Sequence, residues 1–164
     1  MVIDAIAETG GVTAGMDDID MKLLDVIQKN GRGAYACFGR TVGLSTTAIH
    51  ERLKKLTARG IIKGWGAFID PVKAGFPVIA FVRIEIDLPT NREVFADSVS
   101  ALPNVQECHL TSGRWSCCLK LRAPSIEEAE RIINEEITPM KGVVGLQVEV
   151  VTRTSKETPF VPQH

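Results

Sequence analysis

The sequence predicts an α+β protein with two domains, a small helical one followed by a larger one of strands and helices. Two observations carry this prediction. Segments of helical period lie on both sides of Gly43, and from Val78 onward the pattern changes to runs in which apolar and polar residues alternate. A chain of 164 residues has room for two small domains, each with its own core.

The helical part begins near Asp17. Residues 1–16 contain a Gly-Gly pair and show no sustained period, so we expect a flexible N-terminal tail. Asp17 can cap a first helix, which has a single apolar stripe. The residues of this stripe are Ile19, Leu23, Val26 and Ile27. A second, short helix is predicted from Tyr35 to Val42.

The helix that follows Gly43 gives the strongest functional signal. Ser45 can cap it, and Ile49, Leu53 and Leu56 form its apolar stripe. Two short helices joined by a glycine turn are the layout of a helix-turn-helix that reads DNA. The outward face carries hydroxyls and a histidine in its first turns and lysines behind them, which suits a helix whose N-terminal end enters the major groove.

The outward face gives a specific set of predicted DNA contacts. We expect the early polar side chains to read base edges, with Glu51 accepting from cytosine, and the cations to contact phosphates. The predicted DNA-binding residues are Arg40, Ser45, Thr46, Thr47, His50, Glu51, Lys54 and Lys55. The alternative is an ordinary solvated basic face. Arg52 lies at the edge of the stripe and could instead pair with an acid on the first helix.

The charge distribution supports a polyanion-binding front segment. From Asp17 to Lys63 there are nine basic and five acidic residues, a net charge of +4. Because the whole chain carries −1, the remainder carries −5. This asymmetry indicates a DNA-binding module joined to a domain that does not bind DNA.

A domain boundary is expected after the second basic helix. Residues 61–70 alternate as a short strand or wing would, and Asp70-Pro71 interrupts the pattern. The predicted limits are 17–64 for the helix-turn-helix domain, 65–77 for a strand and linker, 78–155 for the second domain and 156–164 for a C-terminal tail.

The second domain has a recognisable order of elements. Alternation from Val78 to Ile86 predicts a half-buried strand, and a capping box at Thr90–Glu93 opens a helix. Two strands joined by a Gly113 hairpin, a second helix and a last strand follow. The order strand, helix, strand, strand, helix, strand is the ferredoxin-like βαββαβ arrangement, with one sheet face left for a second subunit.

Composition excludes several classes. There is no apolar run long enough for a membrane span and no signal peptide, so we expect a cytoplasmic protein without a membrane partner. The four cysteines lack paired zinc-site spacing and are expected to be small buried hydrophobes. His50 has no second ligand at metal spacing, so neither a metal site nor a cofactor is predicted.

Three stretches carry a family resemblance: DDIDMKLLDVIQKNGR, VGLSTTAIHERLKKLTARGIIKGWGAFIDP and LPNVQECHLTSGRW. The chain resembles the feast/famine regulators, the Lrp/AsnC family of transcription factors, over about residues 17–155. The resemblance implies an N-terminal domain that binds double-stranded DNA and a C-terminal domain that senses an amino acid. It also implies homodimers that assemble into octamers or other even oligomers.

The hairpin departs from the family pattern. Members usually carry an acid shortly after the hairpin glycine, where this chain has Ser116. The loop lines the effector pocket in the family, and the ligand-binding residues expected from the resemblance are Thr111, Ser112, Gly113, Arg114, Trp115 and Ser116. Arg114 could bind a carboxylate through two hydrogen bonds. The alternative is a plain β-turn with Trp115 buried against the sheet.

Two other functions are alternatives to a DNA-binding regulator. The first is an enzyme resembling the sirohaem decarboxylases, which share this scaffold and use His, Tyr and Arg. Only His109 is suitably placed for such a role, so no catalytic residue is predicted. The second is a ligand-sensing protein without a DNA function, which the intact helix-turn-helix pattern and the basic front segment disfavour.

Overall fold

The computed structural model describes residues 15–87 and 91–162. The chain divides into two units, one containing residues 15–68 with 157–162 and the other containing residues 69–156. Of the predicted N-terminal tail, residues 1–14 lie outside the described part. Met16 packs against the helical core of the first unit.

The first unit contains three helices: α1 (Asp18–Lys29), α2 (Tyr35–Val42) and α3 (Thr46–Ala58). Asp17 caps α1 in a capping box with Asp20, as each side chain accepts a hydrogen bond from the other's backbone N–H. Gly43, with φ 76°, makes the turn between α2 and α3 in the left-handed region, where a Cβ is disfavoured. The predicted helix-turn-helix is confirmed.

The core of this unit matches the predicted stripe on α3 and extends the stripe on α1. Because α2 and α3 both pack against α1, Leu24 and Asp20 are buried there, although neither belongs to the predicted stripe. Ile19 and Val26 are only half-buried. The buried hydrophobic residues are Leu23, Leu24, Ile27, Phe38, Ile49, Leu53, Leu56 and Ile62.

The strand or wing predicted within residues 65–70 is absent from the described structure. This segment is irregular, and the side chains of Trp65 and Phe68 are 51% and 69% exposed. Alternation favours a strand only where a neighbouring backbone supplies the ladder hydrogen bonds. The described part of the first unit contains no strand, so nothing there can pair with it.

The segment predicted as a C-terminal tail lies against the first unit. The amide of Gln28 donates to the carbonyl of Val161 at 3.0 Å and accepts from its N–H at 2.7 Å. The rings of Phe68 and Phe160 meet edge to face, with centroids 5.2 Å apart. Residues 157–162 therefore belong with the helical unit although they follow the second unit in sequence.

The second unit is a four-stranded antiparallel sheet with helices. Its elements in chain order are β1 (Val78–Ile86), α4 (Arg92–Ser100), β2 (Val105–Leu110), β3 (Cys117–Ala123), α5 (Ile126–Arg131), which continues as a π-helix (Ile132–Ile137), and β4 (Val143–Val150). The strand order β2-β3-β1-β4 confirms the predicted ferredoxin-like arrangement. Asn91 caps α4, whereas Thr90 of the predicted capping box lies outside the described residues.

The two sheet faces differ in chemistry. Val82, Ile84 and Leu119 lie on the face that packs against the helices and are fully buried, as the alternation predicts. The opposite face, called the free face below, carries Arg83 and Glu85 of β1 opposite Gln147 and Gly145 of β4. It is largely charged and polar.

Of the four cysteines, which were expected to be buried, only Cys117 is buried and the other three are half-buried. Cys117 is fully buried, and its Sγ lies 3.7 Å from that of Cys108. Burial, and to a smaller extent the neighbouring Cys108, raises the pKa of the Cys117 thiol to about 12. It therefore stays protonated near neutral pH. Among the described residues no cluster of three or more His, Cys, Asp or Glu side chains could hold a metal ion. No described helix is long and apolar enough to cross a bilayer.

Candidate DNA interface and effector loop

The orientation of α3 is fixed by its apolar side. Ile49, Leu53 and Leu56 are at most 4% exposed, so the opposite side of the helix faces solvent. The Ser45 hydroxyl accepts a hydrogen bond from the Ala48 N–H at 3.2 Å and caps the helix. All eight predicted DNA-binding residues are exposed: Arg40, Ser45, Thr46, Thr47, His50, Glu51, Lys54 and Lys55.

Tyr35 belongs to this surface and was not predicted. It is the first residue of α2, its side chain is 39% exposed, and its ring centroid lies 6.1 Å from that of His50. The His50 Nδ1 lies 3.6 Å from a carboxylate oxygen of Glu51. Periodicity within one helix cannot reveal a contact between α2 and α3; only the geometry of the turn could have pointed to it.

Arg52 serves the fold of the first unit. One guanidinium nitrogen of Arg52 donates to Asp17 at 2.8 Å and to Asp20 at 2.6 Å. The predicted alternative, in which Arg52 pairs with an acid of the first helix, is therefore confirmed. The Asp20 side chain is 11% exposed and that of Arg52 is 28% exposed. The pair joins the start of α1 to the middle of α3, and it holds these two helices together.

This arrangement predicts an acid-sensitive first unit. The backbone N–H of Asp20, followed by Arg52, lowers the pKa of Asp17 below its ordinary value of 3.8. A depressed carboxyl pKa contributes stability that is fully present above the unfolded value and is lost as the pH falls through the folded value. We expect the urea concentration at the unfolding midpoint of the first unit to decrease when the pH is lowered below about 4.

Asp17→Asn is the matched variant, since asparagine also caps helices but does not titrate. It should show a weaker drop in the urea midpoint over the same range, measured by circular dichroism. Identical pH profiles for the wild type and Asp17→Asn would contradict the assignment.

The predicted effector loop, residues 111–116, closes the hairpin between β2 and β3. The Thr111 N–H donates to the Ser116 carbonyl at 3.0 Å, and the Thr111 hydroxyl donates to the Trp115 carbonyl. The Ser116 hydroxyl accepts from the Ile86 N–H at 3.1 Å and is 1% exposed as a residue. Ser116 therefore joins the hairpin to β1, and it is the least accessible member of the predicted ligand set.

Arg114 is the single charged residue of the loop. Its Nε donates to a carboxylate oxygen of Glu85 at 2.9 Å, and its guanidinium carbon lies 5.0 Å from the centroid of the Trp115 ring. The Arg114 side chain is 70% exposed, and Trp115 is half-buried. The loop thus combines a cation, an aromatic surface and a carboxylate from the neighbouring strand.

A helix-turn-helix unit with an outward-facing polar and basic helix, followed by a ferredoxin-like unit with a polar loop, defines the class of ligand-binding transcriptional regulators. Comparison with known proteins agrees. Residues 16–57 match the AsnC-type helix-turn-helix domain, and residues 79–161 match the Lrp/AsnC ligand binding domain. The chain belongs to the Lrp/AsnC family of transcriptional regulators.

Individual relatives match over nearly their full lengths. The HTH-type transcriptional regulator FL11 of Pyrococcus horikoshii is 31% identical over 147 residues, covering 90% of this chain and 96% of that protein. The leucine-responsive regulatory protein of Haemophilus influenzae is 32% identical over 148 residues, covering 89% of each chain. A Neisseria meningitidis transcriptional regulator, solved in complex with L-Met, superposes with a TM-score of 0.83 at 28% identity, covering 90% and 96%.

Proposed function

We propose that this protein is a sequence-specific DNA-binding regulator whose DNA binding or assembly responds to an amino acid. The observation that carries the proposal is the exposed face of α3, where hydroxyls and an imidazole precede two lysines while the opposite side is buried. A helix in this orientation can present its first turns to the major groove. The relatives come from an archaeon and a bacterium, whose chromosomes lie in the cytoplasm, so the protein would act there.

We assign some of these residues to base edges, where they determine sequence specificity, and others to phosphates, where they contribute affinity. Thr46, Thr47 and His50 contact base edges, and Glu51 accepts a hydrogen bond from cytosine. Ser45 caps the helix, and its hydroxyl donates a hydrogen bond to a phosphate oxygen. Tyr35 lies beside His50, with the two ring centroids 6.1 Å apart. Arg40, Lys54 and Lys55 contact phosphates.

The phosphate assignment gives a quantitative prediction. Each lost phosphate contact reduces the slope of log affinity against log salt by about 0.9. We therefore expect the double variant Lys54→Ala, Lys55→Ala to lower the slope by about two units and to weaken operator and unrelated DNA similarly. Fluorescence anisotropy over a salt series measures both effects.

The matched control is Lys22→Ala, Lys29→Ala, which removes the same charge from α1. It should leave the slope within error of the wild type. An unchanged slope in the α3 variant, or an equal loss in the α1 variant, would refute the assignment of Lys54 and Lys55 to phosphates.

The effector is proposed to be an amino acid at residues 111–115. The Neisseria relative bound to L-Met supports this ligand class, and Arg114 can hold a carboxylate. Footprinting of the purified protein on genomic fragments, with and without each amino acid, tests the whole function. Protected sites whose extent or strength changes with one amino acid are expected, and the absence of protection at moderate salt would overturn the DNA-binding function.

We further propose that the chain forms homodimers that assemble into a higher even oligomer such as an octamer. A dimer would place two recognition helices about 34 Å apart, on successive turns of a pseudo-palindromic site. We also propose residues 17–64 as the limits of the DNA-binding domain and residues 78–155 as the limits of the ligand-sensing and dimerisation domain. Sedimentation velocity measures the assembly, and a protein that stays monomeric at micromolar concentration would contradict it.

We propose no catalytic role. His109, the residue considered for an enzyme, lies exposed on β2 with its Nε2 3.3 Å from a carboxylate oxygen of Glu107. Absorption spectra with added sirohaem should show no specific complex.

A further inference from the structure

Glu85 lies beside the effector loop but belongs to β1, and no part of the loop pattern points to it. It is on the free face, directly opposite Gly145 of β4. We propose that Glu85 is a specificity-determining residue, which binds the α-ammonium group of an amino acid whose carboxylate is held by Arg114. This inference rests on the proposed function, because it assigns a further residue to the same effector site.

Arg114 is held ready for a carboxylate. The hydrogen bond to Glu85 uses Nε, and the guanidinium lies over the Trp115 ring. The two terminal nitrogens are the pair that can meet a carboxylate side by side. Since two contacts already orient the guanidinium, less conformational entropy is lost when a ligand binds.

Glu85 also keeps an acceptor for a ligand. Its Oε2 accepts from Arg114 at 2.9 Å, and its other oxygen can accept from an ammonium group. The Glu85 side chain is 31% exposed, so it is partly desolvated but still reachable.

Arg114 and Glu85 form an ion pair with no net charge, and such a pair favours a zwitterionic ligand. A simple carboxylate would be attracted by Arg114 but repelled by Glu85, and a simple amine would meet the opposite balance. An α-amino acid carries its ammonium and carboxylate groups on one carbon atom, so it gains from both side chains. Specificity of this kind arises from repulsion of the wrong ligands as well as attraction of the right one.

Gly145 supplies the space in which the pair sits. A Cβ at position 145 would lie 3.1 Å from Oε2 of Glu85 and 3.9 Å from the Trp115 ring. The first distance is tighter than an ordinary contact, so the Glu85 carboxylate would have to shift by a few tenths of an ångström to admit a Cβ. Glycine at this position therefore leaves room for the carboxylate between Arg114 and β4.

The test uses the full-length protein and isothermal titration. The twenty common amino acids are first titrated to find the one that binds most tightly, and its deaminated carboxylate analogue is then titrated as a second ligand. We expect Glu85→Gln to weaken the amino acid by about 10- to 100-fold, as for a lost charge-assisted hydrogen bond. The same variant should bind the analogue as well as the wild type does or better.

Two further variants separate a specific role from a general one. Glu149→Gln removes a carboxylate from the same face, where Glu149 pairs with Arg83 at 3.2 Å, and should leave both affinities unchanged. Arg114→Ala should weaken both ligands. Thermal midpoints should be equal in the wild type, Glu85→Gln and Glu149→Gln, as expected for partly exposed pairs.

The outcomes are distinguishable. If Glu85→Gln binds the amino acid as tightly as the wild type, or weakens both ligands equally, the inference is wrong while the proposed function stands. If the wild-type protein binds DNA but none of the amino acids, the inference and the effector part of the proposed function both fail.

Discussion

Phe38→Ala is expected to unfold the helical unit under mild conditions and to abolish DNA binding. Phe38 is 1% exposed and is the largest fully buried side chain of that core, which also contains Leu23 and Ile49. Removing a buried aromatic side chain costs about 3 to 5 kcal/mol. In a three-helix unit this is a large share of a typical stability of about 5 to 15 kcal/mol.

The second unit has its own core and should remain folded in this variant. We therefore expect loss of helical signal and of operator binding, with effector binding retained. Phe76→Ala is the control, because Phe76 precedes β1, is 42% exposed and is assigned to neither the DNA interface nor the free face. A Phe38→Ala protein that binds the operator with wild-type affinity at 25 °C would contradict the assignment of Phe38 to the essential core.

Arg52→Ala is expected to destabilise the helical unit by about 2 kcal/mol. Removing one partner of a fully buried ion pair costs about 3 to 5 kcal/mol, and the partial exposure of Arg52 reduces this figure. The cost arises because Asp20, which is 8% exposed, would keep its charge without a counter-ion. Urea denaturation followed by circular dichroism measures the loss.

Replacing both partners gives the sharper test. Asp20→Leu combined with Arg52→Met removes both charges and should recover most of the stability lost in Arg52→Ala. Lys29→Ala is the control, since its pair with Asp25 is exposed and should contribute less than about 0.5 kcal/mol. If Arg52→Ala were no more destabilising than Lys29→Ala, the pair would not hold the recognition helix.

Comparing Arg52→Ala with the Lys54, Lys55 double variant separates an effect on stability from an effect on DNA binding. Arg52 pairs with Asp17 and Asp20 and is not assigned to DNA. At temperatures where Arg52→Ala stays folded, its salt slope should therefore equal that of the wild type, unlike that of the Lys54, Lys55 double variant. An altered slope would place Arg52 on the phosphates instead.

The sequence by itself determined the order of the elements and the outward face of α3. Both follow from local periodicity: Ile49, Leu53 and Leu56 recur at helical spacing, and Val82 and Ile84 alternate along β1. Burial of an apolar stripe is strongly favourable, so a pattern of this kind survives in any fold that covers it. The same periodicity placed Arg52 at the edge of the apolar stripe of α3. An ion pair with an acid of α1 was therefore one of the two roles expected for it.

Only the tertiary structure decided the pairings between residues distant in sequence. The alternation in residues 61–70 predicts a strand, but no neighbouring backbone among the described residues of the first unit pairs with it. Residues 157–162 lie against the helical unit through Gln28 and Phe68.

The proposed effector site shows the same limit most clearly. The sequence marked the Arg114 hairpin, but Glu85, 29 residues earlier, joins it only because β1 pairs with β3 and places that carboxylate 2.9 Å from the guanidinium. Ser116 is likewise turned inward by the N–H of Ile86 on the same strand. Periodicity reports which side of an element is buried, whereas the partner across the sheet is set by strand register, which a single segment does not encode.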